Sequence, residues 1–193
     1  MNNIDKQYLE ILEKILYKGN TKKDRTGTGT ISIFDTSATY SMLEGFPILT
    51  SKKMYLKGII HELLWFLGNH MKLDEYKKFG ITNIKYLIDN NTNIWVGDCY
   101  KKYSTTETGK ILSKEDFLIK LKEDDDFCMK WGSIGPAYGK QWTSWGKEGI
   151  NQVEECIKLL KTDPDSRRII LNSWNVSELH EMTLVPCHMM FQL

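Results

Sequence analysis

Apolar side chains at Ile4, Tyr8, Ile11, Leu12 and Ile15 recur at helical spacing, so an amphipathic helix opens the chain, with Gly19 just past its end. Residues 28–34 and 38–42 are rich in β-branched and aromatic side chains and read as two strands. Residues 59–67 are apolar almost throughout and run into Gly68, the pattern of a helix buried over most of its surface. Residues 150–160 form a second clear helix, with Ile150, Val153, Ile157 and Leu160 on one stripe. Asp163, Pro164 and Asp165 then make a turn, and residues 168–174 read as a strand. Residues 101–130 are polar, with a Ser–Thr–Thr run and acids at 123–126. They read as a solvated insertion holding one helix near residues 114–121. Segregated helices and strands, without a regular βαβ alternation, give an α+β class: a mixed β-sheet with packed helices.

The chain has 193 residues, enough for a single domain, 1–193, with a real core. A net charge of +1 argues against a nucleic-acid binder, which needs a strongly basic face, yet leaves room for a local pocket that holds one small anion. The N-terminus has no apolar signal core, and no run approaches transmembrane length, so no membrane partner is expected. Cys99, Cys128, Cys156 and Cys187 are widely separated and form no CxxC pair. That spacing fits reduced thiols in a cytoplasm rather than a disulfide frame or a metal knuckle, and no metal is called for.

The densest chemistry lies in residues 163–193, DPDSRRIILNSWNVSELHEMTLVPCHMMFQL. Arg167 and Arg168 offer planar, permanently charged forks suited to a phosphate. Cys187, between Pro186 and His188, is a candidate nucleophile. Taken alone, these read as a surface charge pair and a buried thiol, since single motifs match by chance often. In DRTGTGT, residues 24–30, Arg25 precedes two glycines that let backbone approach an anion. The stretch fails as a dinucleotide fingerprint because Ser32 holds the third glycine position, and a tight turn into a strand is the plain alternative. His61 and Glu62 lie in the most apolar helix, where a carboxylate is costly unless it is bonded or used. Trp65 stands where a zinc-binding HExxH pattern needs its second histidine, so that chemistry is excluded.

Five blocks, in order, resemble the thymidylate synthase family: DRTGTGTISIF at 24–34, GFPILTSKK at 45–53, IIHELLWFL at 59–67, GPAYGKQW at 135–142, and the segment running from DPDSRR through SWNV to PCH. The resemblance implies that Cys187 is the nucleophile. It makes Glu62, Tyr138 and His188 a hydrogen-bond and proton-transfer network around a pyrimidine ring. Arg25 would bind the phosphate of dUMP, while Arg167 and Arg168 reach the phosphate in a partner subunit's site, which implies a homodimer. On the side of the co-substrate, 5,10-methylenetetrahydrofolate, it implies packing by Ile94 and Trp95 and contact of Lys52 with the glutamate tail. For Trp95 both an exposed stacking edge and a core role are open. Val96, Gly97 and Asp98 depart from the family's acidic and aromatic pattern.

Family members vary in length near residues 101–130, and they continue well beyond the strand that follows the nucleophile. The C-terminal part of the family fold is therefore expected to lie outside these 193 residues. That part includes another phosphate arginine, a base-reading asparagine and a closing tail. The implied reaction is reductive methylation of dUMP to dTMP, with dihydrofolate as the second product. The alternatives are a folate-dependent pyrimidine nucleotide hydroxymethylase and a non-catalytic, truncated remnant.

Overall fold

The computed structural model describes residues 2–24 and 27–193, and by their internal contacts they form two compact units, Met1–Tyr55 and Leu56–Leu193. Both helices and strands are present, so the α+β class holds.

In the first unit, α1 (Asn3–Lys18) forms where the apolar spacing places it. The Asn2 side chain caps its start by accepting from Asp5 N at 2.7 Å, and Gly19 N–H closes its end on Ile15 O at 2.8 Å. Both contacts satisfy backbone groups that a helix terminus leaves open. β1 (Asn20–Lys22) and β2 (Thr30–Ser32) pair antiparallel, with Thr21 opposite Ile31, so residues 28–34 contain a strand shorter than expected. Residues 38–42 do not form the second one. Gln7 takes both backbone groups of Thr39, its Nε2 donating to the carbonyl at 2.8 Å and its Oε1 accepting from the N–H at 3.0 Å. A side chain thus satisfies the peptide that a strand partner would have taken. A 3-10 turn, Met42–Glu44, follows, capped by Ser41.

The same helix anchors the end of this unit. Asp5, only 2% exposed, accepts from Thr50 N at 2.9 Å, Ser51 N at 3.0 Å and the Thr50 hydroxyl. The hydroxyl contributes most, followed among the favourable contacts by the two N–H groups, and together they lower the carboxyl pKa to about 2 against the opposing pull of burial.

The second unit runs through α2 (Leu56–Phe66), α3 (Asp74–Lys77), α4 (Lys85–Asp89), α5 (Val96–Thr106), α6 (Lys114–Glu123), α7 (Asp125–Trp131), α8 (Gly139–Thr143) and α9 (Gln152–Thr162). It ends in β3 (Ile170–Asn172) and β4 (Met190–Gln192). β3 and β4 pair antiparallel, with Leu171 opposite Phe191. Among the described residues the expected mixed sheet is therefore replaced by two antiparallel pairs. Past Ser173, whose N–H still donates to Met189 O at 2.8 Å, the backbone turns out of the ladder: Trp174 N donates to Asn172 Oδ1 at 2.8 Å and Asn175 N to Ser173 O at 3.2 Å.

Two helical expectations need correction. α2 buries Trp65 and Phe66, yet leaves Ile59, Ile60 and Leu63 about half exposed, so it is not buried over most of its surface. α9 turns Val153, Cys156 and Leu159 inward, while Ile157 and Leu160 stay exposed. Its roll is fixed by Gln152, which exchanges hydrogen bonds with the backbone of Asn172 at 2.8 and 3.0 Å, and this outweighs the apolar count of the alternative stripe.

Residues 101–130 contain the expected helix as α6, and their outer faces are solvated. Their inner faces are not: Tyr103, Phe117, Leu121 and Cys128 are all buried, with Tyr103 and Phe117 rings 5.0 Å apart. Burying Phe117 and Leu121 stabilises the unit by about 1.5–3 kcal/mol each. The polar composition hid this because the apolar residues here are few but fall on facing sides of α5, α6 and α7.

Candidate active site

The site within the second unit is built from the middle of α2, the turn before α8 and the segment that precedes β4. α2 brings two polar groups inward along with Trp65 and Phe66. His61 Nδ1 lies 2.9 Å from the Tyr86 hydroxyl, and Glu62 Oε1 accepts from the indole N–H of Trp95 at 2.7 Å. Neither residue is a helix-end surface pair, since both sit mid-helix and half-buried. A half-buried carboxylate that keeps one donor bonded satisfies the burial condition and leaves its other oxygen available.

Tyr138 is 3% exposed and is the residue on which the site converges. Its ring centre is 4.6 Å from that of Phe66 and 5.9 Å from that of Trp95, so the ring is fixed by packing. Its hydroxyl accepts from the backbone N–H of Cys187 at 2.7 Å and, more weakly, from that of His188 at 3.4 Å. The His188 ring lies 5.7 Å from the tyrosine ring. Burial pushes the phenol above its ordinary pKa. The Cys187 and Glu62 charges act in the same direction, opposed by the two N–H donors. The phenol therefore keeps its proton at neutral pH and has it to donate.

The backbone at Tyr138 is unusual, with φ 28° and ψ −85°, a region costly for a bulky side chain. The preceding turn needs Gly135, whose φ is +79° and where a Cβ would collide with the Glu181 carbonyl oxygen. A buried amide supports this turn. Gln141 is fully buried, and its Nε2 donates to Pro136 O at 2.5 Å and to Glu178 Oε2 at 2.6 Å. Asn175 Nδ2 donates to Gln141 Oε1 at 3.1 Å and to the same Glu178 oxygen at 3.2 Å. At the next residue after Gln141, Trp142 Nε1 donates to Ser173 Oγ at 2.6 Å. Sequence reading assigned no role to Gln141, Asn175 or Glu178. The available signal was a glutamine between a lysine and a tryptophan on a short helix, too common a pattern to single out.

The four cysteines divide sharply. Cys99, Cys128 and Cys156 are buried and Cys187 is exposed. Burial pushes the Cys99 and Cys128 thiols up to about 12 and also raises Cys156. A raised, enclosed thiol is a poor nucleophile, which leaves Cys187 as the accessible one.

The remaining sequence candidates are placed less closely. Arg167 and Arg168 lie exposed in the turn before β3, and among the described residues neither guanidinium is in an ion pair. The Arg167 carbonyl accepts from Gln192 Nε2 at 2.9 Å, which ties this turn to β4. Arg25 lies outside the described residues; beside it, Asp24 Oδ1 accepts from Gly29 N at 3.0 Å within the same loop. Lys52 belongs to the first unit, its ammonium 5.8 Å from the centre of the Tyr8 ring. Ile94 is 65% exposed, whereas Trp95 is 7% exposed, so of the two openings left for the tryptophan the core role is the one adopted. Among the described residues no His, Cys, Asp or Glu cluster is arranged to hold a metal ion, and no helix is long and apolar enough to cross a membrane.

An accessible thiol whose backbone is pinned by a buried phenol, with a carboxylate one indole away, is an arrangement suited to nucleophilic catalysis with proton transfer on an α+β scaffold. The sequence profile of the thymidylate synthase family matches residues 6–193, and the chain belongs to that family. It is 45% identical over 186 residues to the thymidylate synthase of Mycoplasma mobile, covering 96% of this chain and 60% of the relative. With that of Mesoplasma florum it shares 43% over 188 residues, covering 97% and 61%. With that of the Aster yellows witches'-broom phytoplasma it shares 45% over 185 residues, covering 96% and 60%. The chain thus spans about 60% of the length of these curated relatives.

Proposed function

We propose that these residues belong to a methyltransferase that converts dUMP to dTMP with 5,10-methylenetetrahydrofolate as co-substrate, acting in the cytoplasm as a homodimer. The observation that carries this reading is the hydrogen bond from Cys187 N to the Tyr138 hydroxyl at 2.7 Å, which holds the one exposed cysteine at the rim of the Glu62–Trp95–Tyr138 cluster.

In this reading the Cys187 thiolate adds to C6 of the pyrimidine, forming a carbon–sulfur bond and moving the ring electron pair toward C5. Bound 5,10-methylenetetrahydrofolate supplies the one-carbon unit at C5 and the hydride that reduces it to methyl, and leaves as dihydrofolate. Glu62 takes up the proton lost from C5, with the Tyr138 hydroxyl and His188 in the hydrogen-bond network beside it. Cys187 is released as the C5–C6 double bond re-forms. Arg25, and Arg167 and Arg168 given to the partner's site, hold the phosphate, so binding energy remote from the ring orients the reacting carbons. Ile94 would pack near the folate ring, backed by the buried Trp95, and Lys52 would meet the glutamate tail. Residues 1–193 act together as one thymidylate synthase-like domain.

The test is dUMP-dependent formation of dihydrofolate, lost in Cys187→Ser. Tetrahydrofolate as the only folate product would replace the synthase with a hydroxymethylase.

A further inference from the structure

We infer that Glu178 is a positioning residue, which acts through Gln141 to hold the Tyr138 hydroxyl against the Cys187 backbone. The inference rests on the reading of Tyr138 and Cys187 given above. Glu178 itself touches neither residue. Its Oε2 accepts from two amides at once, Gln141 Nε2 at 2.6 Å and Asn175 Nδ2 at 3.2 Å. Gln141, fixed in this way, donates its second amide hydrogen to Pro136 O at 2.5 Å. Pro136 lies two residues before Tyr138, whose backbone is held at φ 28°, a conformation that persists only when its surroundings over-determine it.

The other side of the same tie reaches the nucleophile. Glu178 sits at the start of the segment leading to Cys187, and Thr183 N donates back to Ile134 O at 2.9 Å, next to the turn that carries Tyr138. The two strands of chain that must meet at the tyrosine hydroxyl are therefore bridged at one end by the Thr183–Ile134 bond and at the other by Glu178 and Gln141. Gln141 is fully buried and has every polar atom in use, so removing the carboxylate leaves an amide hydrogen unpaired inside the protein. The easiest relief is rotation of the Gln141 side chain, which releases Pro136 and loosens the turn.

The test combines amide hydrogen exchange with turnover in Glu178→Ala, Glu178→Gln, Tyr138→Phe and the Glu178→Ala/Tyr138→Phe double variant. Glu178→Ala should speed exchange of the Cys187 amide about tenfold. It should lower kcat about ten- to a hundredfold per trapped site, with the KM for dUMP within about threefold. Glu178→Gln keeps one carbonyl oxygen able to accept from both amides and should remain within about threefold of the parent. In the Tyr138→Phe background Glu178→Ala should add less than about twofold to either readout, because the bond it protects is already absent. If Glu178→Ala does not fold, Glu178→Asp keeps the charge but loses the reach, and the same rise in exchange is expected. Unchanged Cys187 exchange, or effects that simply multiply in the double variant, would overturn the inference. Absence of turnover in the parent would instead count against the synthase reading and leave the exchange result to decide the positioning role.

Discussion

Tyr138→Phe separates structural support from chemistry more cleanly than any other single change. It removes only the hydroxyl, so the packing of the ring against Phe66 at 4.6 Å and Trp95 at 5.9 Å is retained and no cavity opens. What is lost is a 2.7 Å bond from Cys187 N and a 3.4 Å bond from His188 N, the second already weak. At about 0.5–1.5 kcal/mol per bond, the cost in stability should be about 1–2 kcal/mol, or a fall of roughly 2–8 °C in Tm. The chemical cost should be larger. Losing the restraint on Cys187 alone should slow its addition to the ring about tenfold, and losing a group that participates in proton transfer should lower turnover by about a further hundredfold. The assay is the rate of covalent trapping by 5-fluoro-dUMP, set beside kcat per trapped site and thermal unfolding. A variant whose turnover per site stays within about twofold of the parent, while Tm falls as calculated, would refute the reasoning and reduce Tyr138 to a packing residue.

Asp5 has a folded pKa of about 2 against an ordinary value near 3.8. A depressed carboxyl stabilises the fold above its unfolded pKa, and that stabilisation is lost as pH falls from about 4 to 2. Circular dichroism should therefore show the parent losing stability across that window more steeply than Asp5→Asn. Phe117→Ala should cost about 3–5 kcal/mol in urea unfolding, since the side chain is fully buried; a cost below about 1 kcal/mol would mean that residues 101–130 are the solvated insertion their composition suggests. Iodoacetamide under native conditions should modify Cys187 first and leave Cys99 and Cys128 untouched until unfolding, as read by peptide mass spectrometry, because both are buried and pushed up to about 12.

Much of the local structure was legible because it follows from spacing. α1, with its Gly19 end, needs only the apolar positions and the cap. The strand at 38–42 was misread because nothing in the sequence shows that Gln7, more than thirty residues away, takes both backbone groups of Thr39. The inward face of α9 was offset for a similar reason: Gln152 sets its roll through Asn172, a contact that outweighs one more isoleucine on the other stripe. Trp95 illustrates the limit at the site. The family resemblance located it, but which way the indole N–H points depends on Glu62 reaching it across the fold. Glu178 and Gln141 were invisible in sequence because their value lies in having every polar atom bonded at once, a property of the assembled core rather than of either residue.

The most direct measurement of Cys187 as nucleophile is denaturing mass spectrometry of the protein after incubation with 5-fluoro-dUMP and 5,10-methylenetetrahydrofolate. Fluorine at C5 cannot leave as a proton does, so the covalent complex should persist and map to the peptide containing Cys187, and it should be absent in Cys187→Ser. A folded protein that binds dUMP yet forms no adduct, or an adduct that survives Cys187→Ser, would contradict the assignment.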